Sequence, residues 1–214
     1  MRHEQTRAWA FGIGIVLLIT IVPYAYYRWS FNFDKRLRVV TEGKVYRSGC
    51  MTAEGFEETI KHHRIKTVIN LMEEAPDPNL NSTYFRRPTK ESELCEKLGV
   101  RFEFLEVDVL PPGASDDQQP AGVTKFRKLL DDPSVYPVLI HCKAGLHRTG
   151  VLTAFYRMDY EGWSRYRALE EMRALGFGRM ASYAPNVYVR QYLVNHQPRA
   201  ATEATIIPVS RSIK

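Results

Sequence analysis

The chain has 214 residues, 44% hydrophobic and 25% charged, which is room for one domain with a real core and is ordinary globular composition. Lysine and arginine outnumber aspartate and glutamate 30 to 24, a net charge of +6 that suits anionic partners; no dense basic block with interleaved aromatics occurs, which argues against nucleic acid. Three cysteines, Cys50, Cys95 and Cys142, with no CxxC pair, argue against a disulfide framework or a four-ligand zinc site and fit a reducing compartment.

Ala8 to Tyr27 is twenty residues without a charge. A helix of about 20 apolar residues crosses a hydrocarbon core of ~30 Å. Trp9, Tyr24, Tyr26, Tyr27 and Trp29 stand at its two ends, where amphipathic rings prefer to lie. The alternative is a cleaved signal peptide, but Ala25 has Pro23 two positions before it and no A-x-A-like site is evident. Arg2 and Arg7 precede the span, while Arg28, Lys35, Arg36, Arg38, Lys44 and Arg47 follow it. The excess on the C-terminal side places the main domain in the cytoplasm. The expected organisation is a flank at 1–7, an anchor at 8–27, a juxtamembrane linker at 28–37, the main domain at 38–196 and a tail at 197–214.

Within the domain, RVVTEGKVYRSG reads as two short strands around a Glu-Gly turn. Thr52 to His63 reads as a helix capped by Thr52, with Phe56 and Ile60 on one face. Lys66 to Leu71 is a short apolar strand. The proline- and asparagine-rich stretch 73–89 reads as a loop. ESELCEKLG is a helix stopping at Gly99, with Cys95 as core filler. Phe102 to Val107 is a further strand, followed by a polar loop over 108–120. GVTKFRKLLDD is a helix burying Val123, Phe126, Leu129 and Leu130. Tyr136 to His141 is an apolar run of the kind found at a sheet centre. Helices follow over 149–160, 167–176 and 185–196. Strands alternating with helices imply an α/β domain with a central, mostly parallel sheet flanked by helices, preceded by one transmembrane helix. Ligands of such sheets bind beyond the carboxyl ends of the strands.

HCKAGLHRTG, His141 to Gly150, lies at one of those ends. A strand, a glycine-bearing loop and a helix start make an anion site, because backbone N–H groups and the helix terminus present positive charge. Such a field favours a thiolate nucleophile. Arg148 offers a planar fork for two phosphoryl oxygens, Gly145 lets the backbone turn, Gly150 permits close packing, and Thr149 can hydrogen-bond the thiolate. Together they describe attack by Cys142 on phosphorus, with Lys143, Ala144, Gly145, Leu146, His147, Arg148 and Thr149 around the transferring group. Neither metal nor cofactor is required. The bland alternative is a turn that happens to contain a cysteine. His141 reads as fixing the loop, Arg47 as a structural ion pair, and Cys50 as a buried thiol.

HCKAGLHRTG resembles the HCxxGxxRTG loop of the cysteine-dependent protein tyrosine and dual-specificity phosphatases. KVYRSG followed by a helix and KTVINL resembles the amino-terminal half of compact bacterial and fungal members, and Tyr156-Arg157 followed by ALEEMRALGF resembles their later helices. The resemblance spans Val39 to Tyr192. His147 stands where many small bacterial relatives have aspartate. Lys143 matches the HCKAGKGRTG of tensin-homologue lipid phosphatases, but Leu146 and His147 do not. The resemblance implies a phosphocysteine enzyme acting on a phosphorylated protein or another phosphomonoester. The alternatives are a phosphoinositide or inositol-phosphate phosphatase and a catalytically silent phosphate-binding adaptor.

The resemblance also implies a general-acid aspartate about thirty residues before the cysteine. Asp108 lies 34 positions before Cys142, at the end of FEFLEV, and is favoured because a strand end would aim it. Asp116 and Asp117, 26 and 25 positions before it, are the alternatives on a loop that could close over substrate.

Overall fold

A computed structural model describes residues 2–29, 34–74, 89–107, 121–178, 193, 194 and 196. The expected loops at 73–89 and 108–120, the helix expected over 185–196 and the tail beyond it fall largely or wholly outside these. An apolar helix α1 (Arg2–Arg28) comes first and runs through Pro23. Its segment Gln5–Tyr27, with mean hydropathy 2.0, is long and apolar enough to cross a membrane.

The two expected strands form an antiparallel hairpin, β1 (Arg38–Thr41) and β2 (Val45–Gly49). Helix α2 (Ala53–His63) starts where Thr52 Oγ1 accepts the Gly55 N–H at 3.3 Å, which satisfies one orphan donor of its first turn. It stops at Arg64, whose left-handed backbone returns its N–H to the carbonyls of Ile60 and Lys61. Phe56 and Ile60 are buried on its inner face. Strand β3 (Thr67–Asn70), helix α3 (Glu91–Lys97) and strand β4 (Arg101–Phe104) follow. Strand β4 ends at Phe104, short of the Val107 expected from sequence. Leu105 and Val107 continue as buried backbone, with the Leu105 N–H on Asn70 O at 3.0 Å.

Helix α4 (Ala121–Leu130) buries Val123, Phe126, Leu129 and Leu130 as its periodicity requires. After a short 3₁₀ turn, Pro133–Val135, comes β5 (Val138–Cys142), then α5 (Arg148–Glu161) and α6 (Arg165–Ala174). The sheet order is β1-β2-β5-β3-β4, and every pair except β1/β2 is parallel. Strand β5 is therefore central and covered on both faces, which is why its apolar run is nearly unbroken.

The two-residue period of β5 divides its side chains between two cores. Val138, Ile140 and Cys142 face the layer that holds α4 and α5, while Leu139 packs with Phe56, Ile60, Leu94 and Cys95 in the layer of α2 and α3. Cys95 is core filler there, fully buried and a free thiol. Helix α5 is buried almost all round its first ten residues because the sheet lies on one side and α6 on the other.

Candidate active site

Cys142 is the last residue of the central strand, and α5 begins six positions later at Arg148. The intervening residues 143–147 cannot continue the sheet, because the partner residue Gly49 already ends β2 beside Cys142. They turn instead into a loop at the carboxyl edge of the sheet. Gly145 has φ +70°, and a Cβ there would lie 2.6 Å from the Ser48 carbonyl and from Gly49 N. Only glycine lets the loop rest directly on β2. Gly49 is needed for the same closeness: its Cβ would meet Lys35 Cγ at 2.6 Å and the Ala144 backbone at 3.0 Å.

The predicted phosphate-binding residues divide by exposure. Cys142, Gly145, Leu146 and Thr149 are buried, Ala144, His147 and Arg148 are half-buried, and Lys143 is exposed. Arg148 Nη1 donates to Leu71 O at 2.9 Å, and Leu71 N–H donates to His141 O at 2.9 Å, so the extension of β3 holds one edge of the fork next to the cysteine strand. His147 is half-buried. Its ring packs edge-on against Phe177, and burial lowers its pKa. Thr149 Oγ1 is buried with no hydrogen-bond partner among the described residues. So are His147 Nε2 on the loop, Arg47 Nη1 and Ser48 Oγ on β2, His141 Nδ1 on the opposite face of β5 and Thr67 Oγ1 at the start of β3. Buried polar atoms are normally paired, and of these Thr149 Oγ1 lies at the start of the helix that follows the loop.

His141 points to the opposite side of β5 from Cys142. Its Nε2 lies 2.6 Å from Glu91 Oε1, with both side chains nearly fully buried, and Phe56 meets the ring edge-on. Glu91 was read from sequence only as part of a helix start; no local pattern marks it, because its partner lies 50 positions away.

Arg47 corrects an expectation. It was expected in an ion pair, but its Nη2 donates to Gly145 O at 2.8 Å beneath the loop. Burial lowers its pKa to about 10, so it stays charged at neutral pH beside Cys142. Cys50 is the buried thiol expected. Burial, then the neighbouring Glu91 charge, pushes it up to about 12. Asp108, Asp116 and Asp117 lie outside the described residues.

A central parallel strand delivering a cysteine to a glycine-pinned loop, with an arginine opening the next helix, defines the architecture of cysteine-based phosphatases. The chain belongs to that class: residues 26–187 match the family described as "DSP-PTPase phosphatase fused to NAD+ Kinase". Inositol diphosphatase SIW14 of Saccharomyces cerevisiae is 25% identical over 174 residues, which are 78% of this chain and 54% of that protein. Dual specificity protein phosphatase TpbA of Pseudomonas aeruginosa is 55% identical over 42 residues, 20% of this chain and 19% of TpbA. The chain thus matches about half the length of the first and about a fifth of the second. The crystal structure of the SIW14 core catalytic domain aligns with a TM-score of 0.53 at 24% identity, covering 73% of this chain and 84% of that one. That of TpbA aligns at 0.51 and 23%, covering 72% and 81%. At such identities the structural likeness establishes the fold.

Proposed function

We propose that this chain hydrolyses phosphomonoesters without a metal, through a phosphocysteine intermediate on Cys142. The observation that carries the reading is Cys142 at the end of the central strand, one five-residue loop before Arg148 at a helix N-terminus. In the first step the Cys142 thiolate attacks phosphorus. An S–P bond forms, the P–O bond breaks, and the leaving oxygen takes a proton from the general acid. In the second step water attacks phosphorus, the S–P bond breaks, and the proton returns to the conjugate base of that acid. Arg148 and the loop amides carry the charge of the transferring group through both steps. Asp108 is the proposed acid, with Asp116 and Asp117 the alternatives.

The substrate reading is a phosphorylated protein, supported by the family match and by the likeness to a dual specificity protein phosphatase. An inositol-phosphate substrate is the second reading, because the likeness to an inositol diphosphatase runs over most of the chain. We also place the domain on a single-pass anchor formed by α1, facing the cytoplasm. Its support is the apolar span, its end aromatics and the basic residues that follow it.

The first test is hydrolysis of p-nitrophenyl phosphate by the full chain in detergent, then a panel of phosphotyrosine, phosphoserine and phosphothreonine peptides against inositol phosphates. Cys142→Ser is expected to abolish turnover and leave phosphate binding largely intact, since the cradle is mostly backbone. Turnover near wild type in that variant overturns the mechanism. Binding without turnover in the wild type identifies the silent adaptor.

A further inference from the structure

A backbone N–H can face the centre of a loop only if the carbonyl across the same planar peptide faces out. Three successive carbonyls of this loop are held from outside. Lys143 O accepts the Cys50 N–H at 3.2 Å, Ala144 O accepts Arg36 Nη1 at 2.9 Å, and Gly145 O accepts Arg47 Nη2 at 2.8 Å. The amides across those peptides belong to Ala144, Gly145 and Leu146, three of the residues expected to cradle phosphate.

The second of these partners comes from an unexpected place. Arg36 belongs to the stretch read from sequence as a juxtamembrane linker, yet that stretch is bonded at both ends. Asp34 N–H donates to Trp29 O at 3.0 Å, directly after the apolar helix, and Leu37 N–H donates to Asp34 O at 2.9 Å. Lys35 O accepts the Gly49 N–H at 2.7 Å, and Lys35 Cγ occupies the space a Cβ on Gly49 would need. Lys35 and Arg36 both hold left-handed backbone, with φ of 41° and 59°. Non-glycine residues adopt that conformation where their surroundings demand it. Here it turns the chain so that one residue presents its carbonyl to β2 and the next its guanidinium to the loop.

We propose that Arg36 is a positioning residue of the catalytic loop: from the segment leaving the membrane helix it holds the Ala144 carbonyl outward, so that the Gly145 amide faces the phosphate. Arg47, behind the next carbonyl, completes a two-arginine brace. The brace rests on the phosphatase reading for its purpose. It ties the geometry of the cradle to the chain immediately following α1. It also places two fixed positive charges behind a loop that must hold an anion.

The test uses the full chain in detergent and reads two quantities. The first is the affinity for inorganic phosphate, measured by titration calorimetry in the Cys142→Ser background. The second is kcat and KM for p-nitrophenyl phosphate with Cys142 present. Loss of one charge-assisted hydrogen bond is expected to weaken phosphate binding about five- to tenfold in Arg36→Gln and to lower kcat by a similar factor. The melting temperature should stay within about 2 °C of the parent, because the Arg36 side chain is only part-buried. Arg36→Lys, which keeps a donor and the charge but not the fork, should recover part of both losses. Phosphate affinity and kcat within about twofold of the parent in a folded Arg36→Gln chain overturn the proposal. So does an Arg36→Lys chain that folds normally yet is as impaired as Arg36→Gln. Phosphate affinity does not depend on turnover, so an active Cys142→Ser chain would sink the phosphocysteine reading while leaving the brace to be judged by binding alone.

Discussion

His141 and Cys142 are adjacent in sequence but face opposite layers of the sheet, and that alternation divides their roles. Cys142 faces the helix α5 side and opens onto the loop, while His141 is held 2.6 Å from Glu91 in the layer of α2 and α3. Gly145 makes the loop possible, because no side chain fits at φ +70° against the Ser48 carbonyl. The general acid is the remaining residue-scale question. Expelling an alkoxide or phenoxide requires a proton, and general acid catalysis typically contributes ~10²–10⁴-fold. The shorter β4 puts Asp108 four positions beyond a strand end, but Leu105 and Val107 are buried, so the backbone leading to it is still anchored. Asp108→Asn is expected to lower kcat for substrates with poor leaving groups far more than for p-nitrophenyl phosphate, and to flatten the basic limb of the pH–rate profile. If Asp116→Asn or Asp117→Asn gives that pattern and Asp108→Asn does not, the acid is the later aspartate and not Asp108.

At the scale of elements, the helical layer is tied together by buried polar groups as well as by apolar packing. Asp159 on α5 accepts from Arg127 of α4 at 2.7 Å and lies 2.8 Å from His196 Nε2, while Arg165 of α6 donates to the His196 carbonyl at 3.1 Å. Burial alone would push the Asp159 carboxyl up; the hydrogen bonds from His196 and Arg127 outweigh it and hold the group below its ordinary 3.8. A carboxyl depressed in the folded state adds stability above its unfolded pKa and loses it as pH falls through the folded value. Wild-type melting temperature should therefore fall as the solution is acidified below about pH 4. Asp159→Asn should melt roughly 6–12 °C lower at pH 7, from a loss of about 3 kcal/mol, and its deficit should shrink in that acid window. Thermal melts of both chains from pH 7 to pH 3 check this. A deficit that is constant with pH would remove the carboxylate from the account. Arg157 plays the corresponding part between α5 and α6, bonded to Glu171 at 2.7 Å and stacked over Trp163.

For the whole molecule, the arrangement of α1 and the candidate loop matters most. Helix α1 ends at Arg28, and the chain reaches the loop only eight residues later, at Arg36. If α1 spans the bilayer with the basic flank inside, the full chain should fractionate with membranes through a high-salt wash. Its domain should resist protease added outside intact cells and be digested once the cells are opened. Digestion from outside reverses the orientation. A soluble product beginning near Tyr26 makes α1 a cleaved signal peptide.

Local order was legible in the residues themselves. The Thr52 cap, the Gly99 stop, the apolar faces of α2 and α4 and the unbroken run of β5 arise from interactions within a few positions, so periodicity and capping rules reach them. The candidate loop was legible for the same reason, since its cysteine, glycine and arginine lie within seven residues. Tertiary structure alone decided what stands behind that loop. The contacts of Glu91 with His141, Arg47 with Gly145 and Arg36 with Ala144 join residues 50, 98 and 108 positions apart. They exist because β5, late in sequence, inserts between β2 and β3 in space. Insertion of that kind depends on the burial of whole strands against two helical layers, a collective quantity that no single stretch of sequence carries.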